Sequence, residues 1–367
     1  MTKYWLFRFA AAVVPRIPYN LLYALVGPLA WLLWVSASGQ RRRVEFNLRH
    51  APGLAEDLGR LSQATREVFR TSVLNYIEFL RGPSRTDAEV IASYPVEGQE
   101  VLEEALSEGR GVILLSGHYG TFEISIARLG AMGYSVVAPA ERLKPERLYQ
   151  FMCAFRENNH FRFLPADERE TVVALKQALA RNEIVAFGVD RYVAGASTAE
   201  IPFFGEPAKM AVTPMALALH LRVPVIIAVG WHVGRNHYHG VIRRLDLGTL
   251  YEQAHVRTAE EANRFGAASV AELKQRAPVE GQRLFLEQFE QFILERPGQW
   301  VSALARVWPE PGPVGAAAKE EKTDANLRRQ GGDRTSIAAY NGSRVAARDV
   351  STNTGLASSP QPSSSSS

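Results

Sequence analysis

With 367 residues, 46% of them hydrophobic and 22% charged, the chain has apolar content enough for one large core or two small ones. Its single cysteine, Cys153, excludes a disulfide framework and a cysteine-based zinc centre. The net charge of +4 is unevenly held: residues 1–50 carry seven Lys/Arg against one acidic residue, residues 51–310 carry 28 against 32, and residues 311–367 carry seven against five. Basicity gathered at one end, with no aromatic-studded basic groove, argues against nucleic acid and for an anionic membrane surface.

The N-terminus starts with the aromatic run Tyr4-Trp-Leu-Phe and continues into a charge-free stretch from Ile17 to Val35. Trp5, Trp31, Trp34, Tyr4, Tyr19 and Tyr23 lie in this region, and such side chains favour the membrane–water interface. The stretch is about the length of a spanning helix, but Pro18, Asn20, Gly27 and Pro28 interrupt it. It starts too late and runs too long for a cleaved signal peptide. A helix embedded in one leaflet, a true span and an ordinary helix packed on the domain all remain open. Arg41, Arg42 and Arg43 follow, suited to phospholipid headgroups.

From Arg41 to Thr86 apolar residues recur at three- and four-residue intervals, which predicts helix; Val73, Leu74, Ile77 and Leu80 form one core-facing stripe. Beyond residue 96 short apolar runs alternate with helical patterns. Strands are predicted at 112–115, 135–138, 161–164, 184–187, 224–229 and 238–243, and helices at 100–108, 122–132, 146–158, 170–180 and 215–221. This alternation predicts an α/β fold with a mixed central sheet covered by helices on both faces. Residues 250–296 return to helix. Residues 311–367, rich in Ala, Ser, Gly, Arg and Asn and ending in five serines, read as a disordered tail. Three regions follow: a membrane-associated N-terminal helix (1–40), a catalytic-sized domain (41–310) and the tail.

The chemically informative passage is Gly111-Val-Ile-Leu-Leu-Ser-Gly-His118-Tyr-Gly-Thr-Phe-Glu123. A histidine followed five residues on by an acid is weak by itself, and His255–Glu260 repeats it in a charged, strandless stretch. His118 differs because it follows a buried strand and precedes an amphipathic helix, the junction where α/β folds place ligands. Gly117 and Gly120 permit a tight turn and close approach of a substrate. With Glu123 in the first helical turn, its carboxylate is expected to hold one imidazole nitrogen and leave the other free as a base. A buried histidine capping the helix, with Glu123 offsetting the helix dipole, is the alternative.

Gly-His118-Tyr-Gly-Thr-Phe-Glu123 resembles the His-(four residues)-Asp/Glu motif of the lysophospholipid and glycerolipid acyltransferase superfamily. The chain is most similar to the branch holding the late acyltransferases of lipid A biosynthesis and the phosphatidylinositol mannoside acyltransferases. The similarity runs from about residue 4 to 308. It includes Arg43 and Asn47, Val96-Glu-Gly98, Arg142-Leu-Lys-Pro, Phe155-Arg156, Val189-Asp190-Arg191, Ile201-Pro-Phe-Phe-Gly205, Pro214 and Pro297-Gly-Gln-Trp300. The resemblance implies His118 as the base, Glu123 as its orienting partner and Arg156 near the reacting groups. It implies Gly117, Tyr119, Arg142, Asp190, Arg191, Glu200 and Phe204 as substrate contacts, with Asp190, Arg191 and Glu200 on the acceptor side. For Arg156 a surface helix position, for the acidic and basic pair an internal salt bridge, and for Phe203–Phe204 simple core packing are the alternatives.

The implied reaction moves an acyl group from acyl-CoA or an acyl carrier protein thioester to a hydroxyl of a membrane glycolipid or phospholipid, with no metal or resident cofactor. The implied location is the cytoplasmic face of the inner membrane, by a monotopic or single N-terminal anchor. Residues 250–280 and the tail depart from the family pattern. No P-loop, Gly-x-Gly-x-x-Gly or Gly-x-Ser-x-Gly occurs. An acyl thioesterase using the same base and a non-catalytic membrane scaffold are the competing readings.

Overall fold

The computed structural model describes residues 2–157, 161–166, 168–191 and 197–309. Four helices come first: α1 (Thr2–Val13), α2 (Tyr19–Ser36), α3 (Ser38–Leu48) and α4 (Leu58–Arg81). The single N-terminal helix expected from sequence is therefore two, separated where Pro15 and Pro18 fall. A proline lacks the N–H that a helix interior needs, so a helix restarts more easily after it than through it. Pro28, by contrast, is accommodated inside α2. α4 carries the predicted stripe, and Val73, Leu74, Ile77 and Leu80 are all buried.

The alternating region follows as α5 (Asp87–Ser93), β1 (Val96–Glu97), α6 (Gln99–Ser107), β2 (Val112–Ser116), α7 (Phe122–Ala131), β3 (Val136–Ala140), α8 (Glu146–Arg156), β4 (Phe161–Pro165), α9 (Arg169–Ala180) and β5 (Ile184–Gly188). Next come β6 (Thr198–Phe203), β7 (Glu206–Ala211), α10 (Thr213–Leu221), β8 (Val225–Gly234) and β9 (His237–Arg244). The predicted helical end, 250–296, is three helices: α11 (Gly248–Gln253), α12 (Ala259–Arg264) and α13 (Val270–Glu295). Thr258 and Ser269 cap the last two by accepting from Glu261 N–H and Glu272 N–H. These side chains satisfy amide groups that an uninterrupted helix would have used internally. The tail reading for 311–367 lies outside the described residues.

Seven strands form one sheet in the order β1-β9-β8-β2-β5-β3-β4. β8, β2, β5, β3 and β4 run parallel, and β9 is antiparallel to β8 with β1 parallel to it. Successive side chains of a strand point to opposite faces, so the two cores interleave along each strand. Ile113, Leu115, Val137, Val185, Val225 and Ile227 enter the larger core with α4, α10 and α13. Val112, Leu114, Val136, Ala138, Ile184 and Ile226 enter the other with α6 and α7. This is the mixed α/β sheet, covered on both faces, that the alternation predicts. The hairpin β6–β7 forms a separate two-stranded antiparallel sheet that the sequence reading omits.

The turn between β2 and α7 depends on Gly120, which has φ +50°. A Cβ there would lie 2.0 Å from the Gly230 carbonyl oxygen and 2.6 Å from Trp231 Cα, both backbone atoms of β8. Gly133 has φ +85° but nothing within 4 Å of a Cβ position. Gly133→Ala should therefore cost about 1 kcal/mol from the left-handed backbone alone. Gly120→Ala adds a backbone clash and should cost at least about 3 kcal/mol. Thermal melting of the two variants should separate them clearly; equal losses would show that the β2–α7 turn yields freely.

Candidate active site

β2 and β5 are adjacent parallel strands in the register Val112 with Ile184 through Ser116 with Gly188. The ladder continues one step further, because Val189 N–H donates to the Ser116 carbonyl at 3.0 Å. Two residues past each strand end stand His118 and Asp190, so their meeting is a consequence of strand register. The His118 ring lies against the bare Cα of Gly188, where a Cβ would be 2.9 Å from Cε1. Phe122 meets the ring edge-on at 5.4 Å between centroids.

Asp190 is fully buried, and both carboxylate oxygens are engaged. Oδ1 is 2.9 Å from His118 Nδ1. Oδ2 accepts the backbone N–H of His118 at 3.0 Å and the indole N–H of Trp300 at 3.1 Å. Burial pushes this carboxyl up, but the His118 ring and amide pull it down further, and it rests below the usual aspartate value. The sign follows: the contribution of this ionised group is complete above the ordinary aspartate range and is lost as pH falls through the depressed value. With an ionised acceptor at 2.9 Å, Nδ1 carries a ring proton and donates it to Asp190, which leaves Nε2 as the ring nitrogen not engaged by this carboxylate. The His118 side chain as a whole is 32% exposed.

Glu123 does not make the bond expected of it. It lies in the first turn of α7, but its carboxylate faces Arg156 at the end of α8. Arg156 Nε donates to Oε2 at 3.0 Å and Nη2 donates to Oε1, a bidentate pair. The guanidinium lies over Phe79 at 4.5 Å and Phe163 at 5.4 Å. Burial alone would lower the Arg156 pKa, yet the Glu123 carboxylate holds it above its ordinary value. The motif thus brings two charge systems side by side, His118–Asp190 and Glu123–Arg156, linked through Phe122.

Other expected contacts are redistributed. Tyr119 is 1% exposed, donates its hydroxyl to the Phe292 carbonyl at 2.8 Å and packs on Phe289, so it is a core anchor and not a substrate contact. Gly117 leaves room for the protein itself: a Cβ would lie 2.2 Å from Phe289 and 2.8 Å from Asp190 Oδ2. Asp190, expected to face the acceptor, is covered completely because its charge is spent on His118. Arg142 pairs with Glu146 at 3.1 Å and with Glu168, and Arg191 pairs with Glu141 at 2.9 Å. Glu200 is exposed on β6 opposite Lys209. Phe204 takes φ +52° at the hairpin turn and stacks on Phe203.

Sequence reasoning missed Trp300 as a site residue, although it singled out the Pro297–Trp300 segment. That segment is laced to the motif: Val301 N–H donates to the His118 carbonyl at 2.8 Å, and Gly120 N–H donates to the Gln299 carbonyl at 2.7 Å. Among the described residues no cluster of His, Cys, Asp and Glu suits a metal ion.

These contacts set an order of effects. His118→Ala should lower kcat by about 10²–10⁴. Asp190→Asn should come close to that loss, because an amide can favour the wrong imidazole tautomer. Glu123→Gln should act through the seat of Arg156 and lose less. Steady-state kinetics on the three folded variants tests this; a Glu123→Gln loss larger than that of Asp190→Asn would reverse the assignment.

The family described as bacterial lipid A biosynthesis acyltransferase matches residues 1–307. A phosphatidylinositol mannoside acyltransferase of Mycobacterium tuberculosis is 31% identical over 173 residues, covering 47% of this chain and 52% of the relative. A protein of the same name from Mycolicibacterium smegmatis is 27% identical over 174 residues, covering 46% and 57%. The chain thus spans about half the length of the curated relatives it matches. With nearly all of the described residues inside the family match, the chain belongs to the bacterial lipid A biosynthesis acyltransferase family.

Proposed function

We propose that this protein transfers a fatty acyl group from an acyl thioester, on CoA or an acyl carrier protein, to a hydroxyl of a membrane glycolipid resembling lipid A or a phosphatidylinositol mannoside. The carrying observation is His118, its Nδ1 fixed on a buried carboxylate and its ring partly open at the carboxyl edge of the sheet. Nε2 takes the proton of the acceptor hydroxyl as that oxygen attacks the thioester carbonyl. The tetrahedral intermediate collapses with cleavage of the C–S bond, and the imidazolium returns the proton to the leaving thiolate. Asp190 holds the ring and offsets its transient positive charge. Arg156, fixed by Glu123, supplies a cation for the oxyanion or for an anionic donor.

A membrane acceptor requires access to lipid, and the N-terminal helices support it. α2 is long and apolar enough to cross a membrane. Its Leu22, Val26 and Ala30 are nevertheless buried in the domain core. Three of its four aromatic side chains lie under arginines of α4: Tyr19 under Arg81, Tyr23 under Arg70 and Trp34 under Arg66. Crossing the bilayer would break these contacts, so α2 is read as lying in one leaflet. The outward set Leu21, Leu25, Leu29 and Leu32, with Trp5, Leu6 and Phe9 of α1, is exposed and apolar. Arg8 and Arg41–Arg43 supply cations for an anionic surface.

Purified protein given labelled acyl thioester should form an acyl ester only when vesicles contain a hydroxyl-bearing glycolipid. Thioester hydrolysis indifferent to acceptor would favour the thioesterase reading, and no turnover the scaffold. The double variant Leu25→Asp, Leu29→Asp should keep its melting temperature yet fail to float with anionic vesicles. Undiminished flotation would remove these helices from the membrane account.

A further inference from the structure

Trp300 is completely buried, and its indole N–H is directed onto Asp190 Oδ2 at 3.1 Å. A tryptophan needed only to fill the core would not have to aim its one donor at the single fully buried carboxylate beside the candidate base. The ring is held in that direction from two sides, meeting Phe203 edge-on at 5.6 Å and Trp308 at 6.1 Å. Its backbone is held as well. Trp300 makes an isolated antiparallel bridge with Tyr119, and the amides of Val301 and Ser302 both donate to the His118 carbonyl. One short segment therefore grips His118 through its main chain and through the carboxylate that its ring touches.

We propose that Trp300 is a positioning residue for the acyl-transfer chemistry, its indole N–H tuning the hold of Asp190 on His118. This rests on the reading of His118 as the base. The argument is electrostatic. A carboxylate divides its negative charge among the donors it accepts, and in a buried site each donor counts for more than it would in water. With the indole bond in place, part of the Asp190 charge is spent on Trp300, which limits how strongly the carboxylate favours a protonated imidazole. Without it, the same carboxylate leans harder on His118. The ring is then protonated to higher pH, and at neutral pH less of the enzyme carries a free base. The remaining charges around the ring stay as they are. From α7 and α8 these are Glu123 and Arg156, joined to each other, and past β5 Arg191 is paired with Glu141. From α13 the facing side chains, Phe289 against Gly117 and Gln282 against Val189, are uncharged, and Glu290 is turned to the Phe204 amide.

The test replaces Trp300 by Phe in the full chain and follows two readouts. The first is the pH profile of kcat/KM for acyl transfer, whose acid limb reports the free enzyme's base. The second is the NMR titration midpoint of the His118 ring protons, which needs no activity. Both should move upward by about half to one pH unit, the size expected for losing one charge-assisted hydrogen bond. Activity lost at pH 6–7 should be largely regained in alkali, with KM for the thioester unchanged. Phe203→Leu, which removes a ring contact and leaves the N–H, should lower the melting temperature without moving the midpoint. If Trp300→Phe fails to fold, benzothienylalanine at position 300 keeps the ring shape and removes only the donor. An unmoved or lowered midpoint in a folded variant overturns the proposal and leaves Trp300 as packing. A wild-type protein that moves no acyl group would instead overturn the function, with the midpoint still deciding the Trp300 claim.

Discussion

A carboxylate sealed from water is costly unless donors surround it, and Asp190 is fully sealed. Its donors include the ring and the backbone amide of His118 and the indole of Trp300, drawn from two distant parts of the chain. Around this one charge the local structure makes sense. Gly117 and Gly188 are bare because Asp190, Phe289 and the His118 ring fill the places where side chains would be. Tyr119 turns inward to anchor the turn on α13. The Pro297–Trp300 segment closes over the carboxylate and holds the carbonyl of His118 from the far side. Removing either partner leaves a buried charge or an undirected imidazole, so stability and chemistry are coupled here.

The second charge system has a different character. Glu123 and Arg156 are partly exposed and satisfy one another in a bidentate pair over two phenylalanine rings. A planar guanidinium fixed in this way presents positive charge in a constant direction, which a lysine on a flexible stem would not do. The two acids differ in partner: one, buried, holds the His118 ring, while the acid of the sequence motif holds the Arg156 guanidinium. Both charge systems meet at the start of α7. Glu123 must fall in the first turn of α7, next to Phe122, to reach across to α8.

The central strands β2, β5 and β8 were legible because each opens on a short, nearly pure apolar run, as buried parallel strands do, whereas the two-residue edge strand β1 was too short to be read. The turn at His118 was legible from the glycines and the onset of an amphipathic helix. Asp190 was singled out by resemblance, but its role was not legible, because nothing in the chain between residues 118 and 190 says that β5 lies beside β2. Strand order is set by how the whole sheet packs, and only that order brings the two strand ends together. Glu123 had the nearer position in sequence and for that reason took the role wrongly. The β6–β7 hairpin was hidden by Pro202 and Pro207, which argue against a sheet interior yet are tolerated where both strands are edges, and here they face each other across the pair. Tyr119 was read as a substrate contact by the family resemblance of the motif that holds it. The direction of its side chain is decided by the buried aromatic face of α13, which local sequence does not reveal.

The central claim is that Asp190, and not Glu123, fixes the His118 ring with its proton on Nδ1. Nitrogen-15 NMR of histidine-labelled protein reads this directly. The account predicts a neutral His118 with a protonated Nδ1 and a bare Nε2, a strongly downfield Nδ1 proton, and loss of that proton signal in Asp190→Asn but not in Glu123→Gln. A proton on Nε2, or a signal lost with Glu123 and kept without Asp190, would contradict it.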